Sequence, residues 1–257
     1  MINRQQLQLI NRKRLRYPLD IAEKDYHLAL ALQHISASAL GSTLVFKGGT
    51  ALHHCYLPQY RFSEDLDFTS SDHGLDLADV RHLLTDGTIF QIRKEYESTS
   101  TIKIERLWYP GILEQPGAIK VEIDRTQNVI LPARPLPYVN VWNHNFSVNV
   151  MDIREICAEK IRAASQRARY RDFYDLFLIF DAFAPDLPEI LALVRRKEVR
   201  IPITSQAIQA NWQIARLERE DDLRSIFCAR EVDAAEIEAM LGRLVFDPIL
   251  ASGSNHA

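Results

Sequence analysis

The chain has 257 residues, of which 47% are hydrophobic and 25% charged. That balance excludes a disordered tail protein and fits one large domain or two small ones. Its net charge of −3, from 31 basic against 34 acidic side chains, announces no polyanion partner, so any nucleic-acid contact must come from a local patch.

The N-terminal stretch MINRQQLQLINRKRLRYPLD carries Arg4, Arg12, Lys13, Arg14 and Arg16 with no acid before Asp20. It lacks the apolar core and cleavage site of a secretory signal. It reads as a frayed basic end, with a polyanion contact as the alternative. A first helix is predicted over 21–36, with Leu28, Leu30, Leu32 and Ile35 on its buried face and Asp20 as its cap. Leu44-Val45-Phe46 predicts a short buried strand that meets Lys47-Gly48-Gly49-Thr50 and a helix around 50–57. Asp65-Leu66-Asp67-Phe68 predicts a strand with carboxylates on one face and apolar residues on the other. A helix near 75–85 follows, then strands around 89–96, 100–108 and 118–124, the last two patterned by Ile102, Ile104, Ile119, Val121 and Ile123. The proline-rich segment 132–137 reads as a loop. Helices are predicted near 152–169, 171–183, 187–196, 203–217 and 232–244, before a short polar tail, SGSNHA.

Seven of the nine glycines precede residue 118 and none occurs from 118 to 241. The first half therefore reads as strands and turns, the second as continuous helix. The expected fold class is α/β (α+β): a mixed sheet flanked by helices over 1–145, followed by an all-α domain over 146–257, with the cleft between them as the default site. Cys55, Cys157 and Cys228 form no CxxC pair, which argues against a disulfide framework or zinc site and predicts a reducing, cytoplasmic setting. No apolar run approaches the roughly 18 residues of a spanning helix, so no membrane is expected.

The strongest chemical signal is Lys47-Gly48-Gly49-Thr50 followed by Ser63-Glu64-Asp65-Leu66-Asp67. Two residues apart on a strand, Asp65 and Asp67 project side by side. Like charges that close call for a neutralising cation. Oxygen ligands on one face suit Mg²⁺, and two such ions about 3.5–4 Å apart are the usual clamp for nucleotidyl displacement. The Gly-Gly pair permits close backbone approach to a triphosphate, and a helix starting at Thr50 points free N–H groups at it. Asp-x-Asp alone is weak and common. The strand, Gly-Gly turn, helix and Asp-x-Asp strand together are far more specific; the bland alternative is a solvated strand edge. Ser63, two before Asp65, faces the same way, either on the nucleotide or as a turn hydroxyl. His53 and His54 are expected in packing or surface roles, Cys55 and Cys157 as small buried hydrophobes.

FKGGTAL followed by RFSEDLDF, with IAEKDYHLALAL before them, resembles the AbiEii/AbiGii-type toxin nucleotidyltransferases, which include the MenT-like toxins of type IV toxin–antitoxin systems, within the polymerase-β-like superfamily. EICAEKIRAASQRARYRDFYDLFLI is similar to the second signature of that group, a Lys followed by Arg-Asp-x-x-Asp-Leu. The similar segments span about 20–180. The resemblance implies a nucleotidyltransferase core with a helical domain, Mg²⁺ as cofactor and an NTP as substrate. It also implies an RNA acceptor, with tRNA the leading candidate, and a separately encoded antitoxin as partner.

Residue by residue, it places Lys47, Gly48, Gly49, Thr50, Ser63 and Lys160 on the nucleotide. Asp65 and Asp67 hold metal, joined by a third carboxylate on a later strand. Val121-Glu122-Ile123 fits that frame; Asp124, on the same face, is the competitor. Lys160 and Asp175 follow as active-site members, with Asp172 nearby. On one straight helix Lys160 and Asp175 would stand about 22 Å apart, so a break is predicted near Ala168–Asp172. Lys160, Arg162, Arg167, Arg169 and Arg171 form a run of five cations without an acid between 160 and 171; a phosphate-binding patch and a solvated helix face remain equally open. Position 49 carries Gly where other relatives carry Ser, so Thr50 is the substitute hydroxyl. Two further functions compete: the same transfer onto a small molecule such as an aminoglycoside or onto a protein side chain, and a degenerate fold that only binds.

Overall fold

A computed structural model describes residues 1–72 and 74–251; the polar tail SGSNHA lies outside the described residues. The chain forms two units, Met1–Met151 and Asp152 onward.

The first unit opens with an ordered helix, α1 (Arg4–Lys13), where a frayed end was expected. Three things hold it. Asn3 and Gln6 close a reciprocal capping box at 2.9 Å each way. Leu7 is fully buried. The buried Asn11 carboxamide donates to the Tyr17 carbonyl at 2.7 Å and accepts from the Tyr17 N–H at 3.0 Å. Helix α2 (Leu19–Ala37) begins at Pro18, and Asp20 lies inside its first turn instead of capping it. Pro18 has no N–H and a fixed φ, which suits a helix start, while Asp20 favours the helix dipole.

The strands are β1 (Leu44–Lys47), β2 (Asp65–Ser70), β3 (Gln91–Glu97), β4 (Thr101–Tyr109), β5 (Gly117–Asp124), β6 (Arg134–Pro137) and β7 (Ser147–Val150). They form one mixed sheet in the order β3-β4-β5-β2-β1-β7-β6. β1 leads into the short helix α3 (Gly48–Ala51), which continues as a π-helical turn over Leu52–Tyr56; α4 (Leu77–Thr85) precedes β3. Alternation does what the sequence predicts: Ile119, Val121 and Ile123 of β5 are buried, while Lys120, Glu122 and Asp124 point to the other face. α2 packs against β2, β5 and β7.

The segment 132–137, read as a loop, holds strand β6. Its prolines are tolerated because β6 is an edge strand, paired only with β7 and free of any need to donate on its outer side. β7 falls at 147–150 but belongs to the sheet: Val150 pairs with Phe46, and the Met151 N–H donates to the Phe46 carbonyl at 3.0 Å.

The second unit is helical among its described residues: α5 (Ile153–Gln166), α6 (Tyr170–Phe183), α7 (Leu187–Arg196), α8 (Ser205–Ala215), α9 (Arg219–Ile226) and α10 (Ala234–Arg243). The expected break is present, at residues 167–169 between α5 and α6. α9 escaped the sequence reading because its carboxylate-rich start (Glu220, Asp221, Asp222) reads as a polar loop. There it complements the helix dipole, and Asp222 accepts from the Tyr170 N–H at 2.8 Å.

Candidate active site

Sheet register assembles the first cluster. β2 runs antiparallel to β1 and parallel to β5, so Lys47, Asp67, Glu122 and Lys103 lie side by side in one row across β1, β2, β5 and β4. Asp65 stands one step along, opposite Lys120. Burial of Asp67, with Asp65 and Glu122 beside it, pushes its carboxyl up to about 6 against the pull of Lys47 and Lys120. Burial pulls Lys120 down, but Glu122, Asp65 and Asp67 more than offset this, and its ammonium is held above the usual lysine range. For Glu122, Lys120 at 2.9 Å and Lys103 at 3.1 Å outweigh burial and hold its carboxylate below the ordinary range.

The Gly-Gly turn is fitted to this row. Gly48 has φ +77°, and a Cβ there would lie 2.5 Å from Asp67 Oδ2. A Cβ on Gly49 would meet the Arg61 guanidinium and would lie 2.8 Å from Ser63 Oγ. Arg61 is buried and donates to the Phe62 carbonyl at 2.8 Å. Lys47, Gly48, Gly49, Ser63, Asp65, Asp67 and Glu122 are thus brought together. The Thr50 hydroxyl is buried and donates to the Asp65 carbonyl at 2.6 Å, which ties the turn to β2. Asp124 is committed locally, its Oδ1 accepting from the backbone N–H of Thr126 and Gln127, each at 2.9 Å. Sequence reasoning missed Lys103 and Lys120, whose alternation on β4 and β5 was the available signal.

Among the described residues, no group of three or more His, Cys, Asp and Glu side chains is gathered as a ready metal cluster. The fit to Mg²⁺ rests instead on two carboxylates. Asp65 and Asp67 are hard oxygen donors crowded on one face, and Mg²⁺ takes one or two carboxylates, completing its shell with waters and substrate phosphates.

The second cluster lies within the helical unit. The turn at 167–169 folds α6 back on α5, and Lys160 Nζ reaches Asp172 Oδ1 at 3.1 Å and Asp175 Oδ2 at 2.6 Å. Arg167 Nε adds a bond to Asp172 Oδ2 at 2.7 Å. Both aspartates and Lys160 are buried. Burial alone would raise the Asp172 carboxyl, but Lys160 and Arg167 hold it below its usual range. Of the five-cation run, Lys160 and Arg167 are therefore neutralised in place, while Arg169 is exposed and Arg171 half-buried. His53 and His54 are fully buried, as packing requires, and burial pushes the Cys55 and Cys157 thiols up to about 12.

A family description, "Nucleotidyl transferase AbiEii toxin, Type IV TA system", matches residues 30–251. No curated protein matches the chain. Among solved structures, MenT4, a nucleotidyltransferase toxin from Mycobacterium tuberculosis H37Rv, is similar at 21% identity and TM-score 0.62, over 93% of this chain and 99% of that one. JHP933 from Helicobacter pylori is similar at 17% identity and TM-score 0.57, over 88% of this chain and 91% of that one.

Proposed function

Since the chain belongs to the AbiEii family of type IV toxin–antitoxin nucleotidyltransferases, we propose that it is a Mg²⁺-dependent enzyme that transfers NMP from an NTP to an RNA acceptor, with tRNA as the leading substrate. The observation that carries this is the seating of Asp67 against the Cβ-less Gly48, in one row with Glu122 and beside Asp65. Asp65 and Asp67 would hold the metal, with Glu122 as the third carboxylate once its lysines are displaced toward phosphate. Bound Mg²⁺ supplies charge neutralisation on the triphosphate and on the attacking oxygen.

The chain's own groups do the rest. The Gly48-Gly49 backbone admits the triphosphate close to β2, with Lys47, Arg61 and Ser63 at its edge. Thr50 fixes the turn so that this geometry precedes binding. The acceptor hydroxyl, losing its proton, bonds to the α-phosphorus; the bond from that phosphorus to the β-phosphate oxygen breaks, and pyrophosphate leaves. Lys160 is assigned to the triphosphate and Asp175 to positioning it, a role supported by an ammonium held in one orientation by two carboxylates. Modification of tRNA would stall translation, and a separately encoded antitoxin would hold the enzyme in check.

The test is incubation of the protein and Mg²⁺ with each α-³²P-labelled NTP and total tRNA, beside Asp65→Ala/Asp67→Ala. Label on tRNA that vanishes in the variant and in EDTA is expected. Label only on a small molecule or on protein would replace RNA as the acceptor.

A further inference from the structure

We propose that the basic end of α1 and the segment after it form the docking surface for the RNA acceptor's phosphate backbone. This deepens the reading above and rests on its RNA acceptor. Arg12, Lys13, Arg14 and Arg16 are all exposed and follow one another within five residues. Lys24, Arg81, Lys94, Lys103, Lys120, Arg125, Arg154, Lys160, Arg167, Lys197, Arg200, Arg216 and Arg230 each meet a carboxylate within 4.0 Å. None of the four α1-end cations meets an acid among the described residues. In a chain of net charge −3, four such cations within five residues make a local positive patch of the kind that can hold a polyanion.

The segment is held in place by side-chain bonds. Asn11 clamps Tyr17 through both of its backbone groups, which fixes the segment that carries Arg12 to Arg16. Tyr17 then packs edge-on against Phe62, ring centroids 5.8 Å apart. Phe62 lies between Arg61 and Ser63, the two residues that fill the space beside Gly49. The basic run therefore ends against the loop that leads into Asp65. The basic run and the carboxylate row thus belong to the same unit. α1 exposes Gln5, Gln6 and Gln8 along with its cations, with Leu9 its one large exposed apolar side chain among the described residues. This polar surface suits a hydrated polyanion and lacks the apolar face that a bilayer surface requires. These residues also precede 30–251, the segment that the family description matches.

The experiment measures binding of fluorescently labelled tRNA to the full chain across a salt series. It compares wild type with Arg12→Ala/Lys13→Ala/Arg14→Ala/Arg16→Ala and with Arg195→Ala/Arg196→Ala, an exposed pair at the end of α7. The α1 variant is expected to bind about tenfold or more weakly at 0.1 M salt, and the slope of log K against log salt to shrink by about three. Its KM for RNA rises while its KM for NTP and its melting temperature hold. The α7 variant binds as wild type does. Equal binding by the α1 variant, equal loss in the α7 variant, or capture by anionic vesicles in place of tRNA overturns the proposal. Salt-dependent tRNA binding that needs α1, without label transfer to tRNA by wild type, would keep the surface and remove the acceptor reading alone.

Discussion

Gly48→Ala and Gly87→Ala form a matched pair. Both glycines have positive φ, +77° and +65°, so an alanine at either costs about 1–2 kcal/mol of backbone strain. They differ in what the new methyl meets. At Gly87 nothing lies within 4 Å, whereas at Gly48 Asp67 Oδ2 lies 2.5 Å away and Asp67 Cβ 3.2 Å away. Carbon–oxygen contact at 2.5 Å is about 1 Å inside van der Waals separation, so the Asp67 carboxylate must move by roughly that amount. A displacement of about 1 Å in a reacting group costs on the order of 10²-fold in rate. Urea unfolding should then show comparable losses for both variants, with a further loss for Gly48→Ala. Mg²⁺-dependent label transfer should fall about a hundredfold in Gly48→Ala and stay near wild type in Gly87→Ala. If both variants, folded, transfer label equally well, Asp67 is not the group whose position sets the rate.

Two further outcomes follow from buried charge. Lys160→Met leaves Asp172 and Asp175 buried without their ammonium and should cost about 3–5 kcal/mol; adding Asp172→Asn/Asp175→Asn should restore most of the stability. If Lys160 acts on the triphosphate, that triple variant stays inactive once refolded, whereas recovery of transfer would make the cluster a structural clamp between α5 and α6. His27 is fully buried, stacked on Tyr109 at 3.8 Å, and burial drives its pKa down to about 4. The unfolded chain protonates this imidazole near 6.5 and the folded chain does not until about 4, so stability is lost as pH falls through that window. The loss reaches about 3 kcal/mol at 1.36 kcal/mol per pH unit. His27→Phe, which keeps the stacking and removes the buried Nε2, should flatten that part of the urea-measured stability profile; an unchanged acid slope would assign it to other groups.

Local pattern carried most of the architecture. Alternation in β2, β4 and β5, helical periodicity after 152 and the glycine distribution are near-neighbour properties, so the strand–turn–helix–strand motif and its acids were legible without coordinates. The break before α6 came from the family resemblance, which put Lys160 and Asp175 in one site that a single straight helix could not bring together. Edge position made Arg134–Pro137 a strand despite its prolines, since only pairing partners decide whether a missing N–H matters. Capping and burial of Leu7 and Asn11 made α1 a helix where charge alone suggested a loose end. Thr50 is the sharpest case. Its type and place suited a phosphate ligand, but its orientation into the Asp65 carbonyl depends on how β2 returns beside β1. Sequence pattern alone tells which residues share a face. Which of those side chains are held by a distant partner, as Lys103 holds Glu122, only register and packing decided, because those contacts join residues far apart in the chain.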